Sequence, residues 1–179
     1  MSLSFDFSDD QNMMRDAIQT FCKEEIAPLV EEAEEKQEFP SQLFPKMAEM
    51  GFLGIGFEEK YGGLGLDKVT QCILAEELGK TCAGIAKGVA AHVDLGSLPV
   101  AKFGTEEQKQ KYLVPSIAGE MIGALAITEP NAGTDARSIK TNALKDGDSW
   151  ILNGTKTWCS NGVTSVSYTH LTLPTNREV

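Results

Sequence analysis

Cysteine is sparse and never clustered: Cys22, Cys72, Cys82 and Cys159 stand far apart, with no CxxC pair. That argues against a disulfide framework and fits free thiols in a reducing compartment. Histidine is scarcer, with only His92 and His170, and no group of His, Cys and carboxylates has zinc-like spacing. No metal is expected. A Ser-His-Asp hydrolase would have to draw on those two histidines, and the GxSxG elbow is missing. Long apolar runs are absent too, which excludes a membrane-spanning helix. The start, Met1-Ser2-Leu3-Ser4-Phe5-Asp6, has neither a basic region nor an apolar core. Neither a secretory signal nor an Arg-rich transit peptide is expected, and a cytoplasmic location is. Positive charge is short as well: Lys+Arg 16 against Asp+Glu 26 leaves −10. Nucleic acid and anionic membranes are therefore not expected partners. An anionic ligand would need its own local donors.

What is present is a chain of 179 residues, 41% of them hydrophobic, enough for one core and part of another. Its first two thirds read as helices. Ser8-Asp9-Asp10-Gln11 has the form of a capping box. From it Ala17, Ile18, Phe21, Cys22, Ile26, Leu29, Val30 and Ala33 form a stripe at three- and four-residue steps, interrupted by Glu25. Pro28 inside that stripe predicts a kink or two successive helices. Glu31, Glu32, Glu34 and Glu35 read as a solvated face. A helix is predicted from Ser41 to Met50, stopped by Gly51, and another from Lys68 to Lys80, capped by Asp67. Residues 83–96 are rich in Gly and Ala, which allows a close approach or leaves room beside a helix; His92 there reads as a packed or surface residue rather than a catalyst. Thr105-Glu106-Glu107-Gln108 is a second capping box, opening a short helix expected to end near Pro115.

After Glu120 the pattern changes. Met121 to Thr128 is an apolar run of strand length, followed by the turn formers Glu129-Pro130-Asn131-Ala132-Gly133-Thr134-Asp135. Asp146-Gly147-Asp148 and Asn153-Gly154 then bound short stretches in a hairpin-like layout. The fold class is thus α+β, with a helical domain over 1–120 and the first strands of a β domain over 121–163. The glycine runs at 51–56 and 61–65 do not follow a strand into a helix, so a dinucleotide-binding phosphate loop is disfavoured.

Two segments hold the chemistry: Leu125-Ala126-Ile127-Thr128-Glu129-Pro130-Asn131-Ala132-Gly133-Thr134-Asp135 and Asn153-Gly154-Thr155-Lys156-Thr157-Trp158-Cys159-Ser160-Asn161-Gly162. A strand end running into a Pro/Gly loop exposes backbone groups beside the hydroxyls of Thr128 and Thr134, donors suited to the polar edge of a heterocycle. Trp158 and Ser160, two apart, would share one face of a strand and offer a stacking surface and a hydrogen bond. Spacing alone favours a plainer reading, a β-meander with polar turns and a core Trp.

These segments closely resemble the flavin-contacting signatures of acyl-CoA dehydrogenases, commonly T-E-P-x-A-G-S-D and N-G-x-K-x-W-I-T-N. The resemblance extends to Tyr61-Gly62-Gly63-Leu64-Gly65 and to Phe103 through Leu113, and covers nearly everything up to about Gly162. It implies a helical amino-terminal domain, a β-barrel-like middle domain and a carboxy-terminal four-helix bundle, with FAD between the last two. By match, Leu125, Ala126, Ile127, Thr128, Gly133 and Thr134 would border the isoalloxazine, Thr128 bonding its pyrimidine side. Trp158 would pack on the ring, with Cys159 beside it in place of the usual apolar residue. Ser160 stands for the usual Thr near flavin N5, and Thr134, for the usual Ser, would lie close to flavin or the thioester substrate. The implied reaction is α,β-dehydrogenation of an acyl-CoA, with electrons passed to an electron-transferring flavoprotein, by a homo-oligomer.

Departures from the family set further expectations. Its catalytic carboxylate lies in the bundle, so no acid of this chain is assigned as the base; Glu129 belongs to the flavin loop, and the helix glutamates read as surface charge. The end, Ser165 to Val179, resembles a translated adapter rather than a strand, so 164–179 reads as a non-native tail. The chain is accordingly expected to be an inactive amino-terminal fragment, prone to aggregate through open strand edges. The alternatives are a flavin oxidase or monooxygenase of the same fold, and a non-catalytic helical interaction protein.

Overall fold

The computed structural model describes residues 6–164. The expected capping box forms: Gln11 N–H donates to Ser8 Oγ at 3.2 Å and Ser8 N–H to Gln11 Oε1 at 3.0 Å. It opens α1, Asp9–Phe21, which runs on through a π-helical segment, Cys22–Ile26, into α2, Ala27–Lys36. Ser8→Ala is expected to lower the unfolding free energy by about 1 kcal/mol, read from urea titrations of the two proteins.

Three helices follow as α3, Leu43–Glu49, α4, Lys68–Thr81, and α5, Ala83–Ala90. The stop after α3 is Gly51 at φ +75°, a left-handed conformation that glycine adopts without strain. Asp67 caps α4 as its sequence position predicts, its Oδ1 accepting from the Thr70 N–H at 2.8 Å and the Thr70 hydroxyl at 2.9 Å. A π segment, Ala91–Ser97, leads into α6, Leu98–Phe103. The Thr105 capping box then opens α7, Glu106–Gln108, and a third π segment, Lys109–Leu113, leads into α8, Val114–Ile117.

At Pro28 two successive α segments, α1 and α2, meet through a π segment, and the helix opened at Thr105 ends at Ile117, close to Pro115, both as expected. Pro28, Pro99 and Pro115 each sit in the first turn of an α segment directly after a π segment. Proline lacks an N–H and presses on the carbonyl four residues back. The preceding residue therefore donates five back instead: Ala27 to Cys22, Leu98 to Val93, Val114 to Lys109. The widened turn makes room for the ring and the helix continues.

α4 packs against both α1 and α5. The core takes Ile18 and Phe21 from α1, Cys22 and Ile26 from the π segment, Leu43, Phe44 and Met47 from α3, and Ile73, Leu74 and Leu78 from α4; Ile85 and Val89 of α5 close it. A smaller cluster of Phe57, Tyr61, Leu113 and Ile117 lies beside it. Glu31, Glu32, Glu34 and Glu35 are exposed as expected. Glu77 is the exception among the helix glutamates. It is buried, and held by Lys80 at 3.0 Å, Gln19 at 3.1 Å and Arg15 at 3.4 Å.

Beyond the helices the described residues form one antiparallel hairpin, β1, Asn142–Asp146, and β2, Ser149–Asn153, pairing Leu144 with Ile151. Its two-residue turn, Gly147-Asp148, has Gly147 at φ +59°, the geometry suited to strand twist. The run Met121–Thr128 is not a strand: it starts in a bend at Met121 and has no regular secondary structure from 122 to 128, which corrects the expectation. Strand character requires a partner ladder, and among the described residues only the Thr128 carbonyl of that run receives a main-chain bond from a later segment, from Thr157 N–H at 2.8 Å. Among the described residues, no helix is long and apolar enough to cross a membrane. The expected non-native tail lies outside the described residues except for Thr164.

Candidate functional site

The site begins where that run leaves the helices. His92, 1% exposed, accepts the Gly123 N–H on Nδ1 at 2.8 Å, so its proton sits on Nε2, which donates to the Ser116 carbonyl at 3.1 Å. The Phe44 ring stands edge-on at 5.2 Å. Burial pushes this imidazole down from 6.5 to about 4, so it is neutral at physiological pH. Beside it, a Cβ on Gly96 would meet the Gly123 Cα and carbonyl carbon at 2.7 Å. Of the two roles open to the small residues of 83–96, close approach is the one seen here.

From Gly123 the run meets the second segment side by side. Thr157 N–H donates to the Thr128 carbonyl at 2.8 Å, Lys156 Nζ to the Ile127 carbonyl at 2.9 Å, and Cys159 Sγ lies 3.6 Å from the Leu125 carbonyl. Asn161 Nδ2 closes the far end, donating to the Gly88 carbonyl at 2.8 Å and the Gly123 carbonyl at 3.4 Å. The bonding is asymmetric. The first segment gives its carbonyls to the second, while the N–H groups of Leu125, Ala126, Ile127, Thr128 and Thr134 have no partner among the described residues. Main-chain donors left without a protein partner can be satisfied by acceptors of a ligand.

The Glu129–Ala132 turn, with reciprocal backbone bonds of 2.9 and 3.1 Å, ends the run. The buried Glu129 carboxylate accepts from Lys140 N–H at 2.8 Å, Thr141 N–H at 2.9 Å, the Thr141 hydroxyl and Lys156 Nζ at 2.9 Å. Those donors, the Thr141 hydroxyl foremost, lower it to about 2.

Of the residues singled out from sequence, Leu125 to Thr128 and Trp158 to Ser160 are brought together, and Gly133 and Thr134 lie exposed on the loop after the turn. Trp158 and Ser160 do not share a strand face, because the backbone leaves extended geometry there: Trp158 has φ +56° and Asn161 φ +61°. Trp158 is 92% exposed, which rules out the core-Trp reading. Burial pushes the Cys159 thiol up. Sequence reasoning left Lys156, Asn161 and the Gly96–Gly123 crossing without a role. Lys156 and Asn161 lie inside the quoted motif, which was their signal; nothing local marked the crossing. Thr157 Oγ1 is buried with no partner among the described residues.

Comparison with known proteins agrees with this architecture. The model of the acyl-CoA dehydrogenase N-terminal domain matches residues 8–120, and that of the middle domain matches 124–178. The probable acyl-CoA dehydrogenase YngJ of Bacillus subtilis is 42% identical over 173 residues, covering 97% of this chain and 44% of the relative. A chain in the solved structure of the electron transferring flavoprotein of Acidaminococcus fermentans is 43% identical with TM-score 0.87, covering 91% of this chain and 43% of that one. The acyl-CoA dehydrogenase from Bacillus anthracis, complexed with FAD, is 40% identical with TM-score 0.83 over 88% of this chain and 28% of that one. The chain thus spans less than half the length of these proteins, and it belongs to the acyl-CoA dehydrogenase family.

Proposed function

We propose that this chain supplies the flavin-facing segments of an FAD-dependent enzyme that dehydrogenates acyl-CoA thioesters between Cα and Cβ and passes the electrons to an electron-transferring flavoprotein. Residues 1–120 form its helical domain and residues from 121 the start of its middle domain. The observation that carries this reading is the set of N–H groups, of Leu125 to Thr128 and of Thr134, that have no partner among the described residues, near an exposed indole. The residues fit the group: an isoalloxazine presents acceptor atoms along its pyrimidine edge and flat faces for stacking. Leu125, Ala126, Ile127 and Thr128 would take that edge, Thr128 with its hydroxyl as well. Trp158 would cover a face, Ser160 would bond near N5, and Gly133 and Thr134 would lie toward flavin and thioester, with Cys159 packed behind.

When bound, FAD supplies the acceptor for the β-hydrogen leaving as hydride. The chain's own residues bind and orient. Glu129 is excluded as the base that takes the α-proton: its oxygens are filled by four donors, and a carboxylate near 2 is a weak proton acceptor. The resemblance to the family would place the base in a carboxy-terminal bundle. The FAD complex of the Bacillus anthracis relative and the flavoprotein structure from Acidaminococcus fermentans support the cofactor and the electron partner.

The test is a flavin titration of the purified protein followed by fluorescence quenching. Saturable binding is expected, weakened about tenfold by Trp158→Ala through loss of the stacking surface. Absence of flavin uptake would overturn the reading.

A further inference from the structure

We infer that Lys156 and Glu129 are positioning residues for the flavin-facing edge, holding the run in shape from its middle. The proposal rests on the flavin reading above. Among the described residues, the run 125–128 belongs to no strand ladder, so side-chain bonds take a larger part in setting its backbone. Lys156 does part of that work. Its single ammonium bonds the Ile127 carbonyl and the Glu129 carboxylate, both at 2.9 Å, fixing the backbone between those residues. Thr157, its neighbour, bonds the Thr128 carbonyl from the main chain. Glu129 in turn is tied to Lys140 and Thr141, directly before β1.

The open end of the hairpin, where Asn142 faces Asn153, is therefore attached to the loop through both strands. Glu129 grips the residues preceding β1, and Lys156 and Thr157 follow β2. Charge supports the same role. The pair is sheltered, with side chains 20% and 8% exposed, so solvent screens it little. Lys156 also cancels the carboxylate beside donors that must receive the acceptor edge of an anionic cofactor, in a chain whose net charge is already −10. Losing Lys156 would free the Ile127 carbonyl and leave a buried anion short of one donor. The edge would then be mis-set even where the helical domain is intact.

FAD titrations of the wild-type protein and of K156M, K156R and E129Q test this, together with the visible spectrum of the bound flavin and hydrogen exchange at the Thr141 and Thr157 amides. K156M is expected to weaken FAD binding about tenfold or more, change the flavin spectrum and speed exchange at both amides. K156R should recover most of the affinity, and E129Q should fall between, since an amide keeps one acceptor oxygen. Thermal melting of the helical domain should be alike in all four. Wild-type affinity and spectrum in K156M would overturn the positioning role while leaving the flavin reading in place. So would an affinity loss that only tracks the loss of folded protein. A wild-type protein that takes up no flavin would overturn the underlying reading itself.

Discussion

Replacing Gly96 with valine should separate the run after Gly123 from the helices at a cost of about 3 kcal/mol or more. The added Cβ would stand 2.7 Å from the Cα and carbonyl carbon of Gly123, and main chain cannot swing aside as a flexible side chain can. Any retreat of Gly123 also stretches its 2.8 Å bond to His92 and draws its carbonyl from Asn161. Both ends of the candidate site depend on that crossing. Urea unfolding should show a lower midpoint and flavin binding should fail together. Gly79→Ala is the matched control, because a Cβ there meets nothing within 4 Å in the last turns of α4. That change should stabilise the protein by up to about 1 kcal/mol through helix propensity. Equal destabilisation by both substitutions would show that the crossing is not the tight point.

Acid should weaken the same junction through His92. Its folded-state value of about 4 against an ordinary 6.5 means that, between those pH values, the unfolded chain binds a proton the folded chain refuses. The contribution to stability is full above pH 6.5 and is lost as pH falls to 4, by about 3 kcal/mol in all. The physical event is specific. A proton on Nδ1 would point at the Gly123 N–H, which that nitrogen now accepts. Unfolding free energies measured at pH 7 and pH 5 should therefore differ more in the wild type than in His92→Gln, which has no titrating group there. Equal slopes in the two proteins would sink this account.

The parts of this fold that were legible in sequence are those decided by neighbours in sequence. Ser8, Asp67 and Thr105 cap helices with side chains that reach three residues on, and Gly51 ends α3 by its own conformation. The apolar run to Thr128 was misread because length and composition describe a strand, whereas being one depends on distant partners. Trp158 was misread by spacing for a related reason: hydrophobicity says that a ring gains from cover, not which surface provides it. The flavin motifs were legible only through resemblance. That Lys156 reaches back to Ile127 and Glu129 is a fact of tertiary approach, with no counterpart in local pattern. For His92 the sequence left a packed and a surface position open; it is packed, and its bond to Gly123 was not expected.

The three π segments that precede prolines also have a consequence for helical phase. Each turn that bonds five back instead of four holds an extra residue, so it rotates everything downstream by about 100° relative to an uninterrupted α-helix. That rotation is set by the number of residues between the packed faces, and proline determines where the widened turn that absorbs it falls. Exchanging Pro28, Pro99 or Pro115 for alanine leaves the downstream faces aimed as they are. Deleting a single residue from 22–26 would instead remove the extra residue, press Pro28 onto the carbonyl four back and turn Leu29 and Val30 off the core they pack against. Along these helices, a smooth α-helix would be the misaligned one.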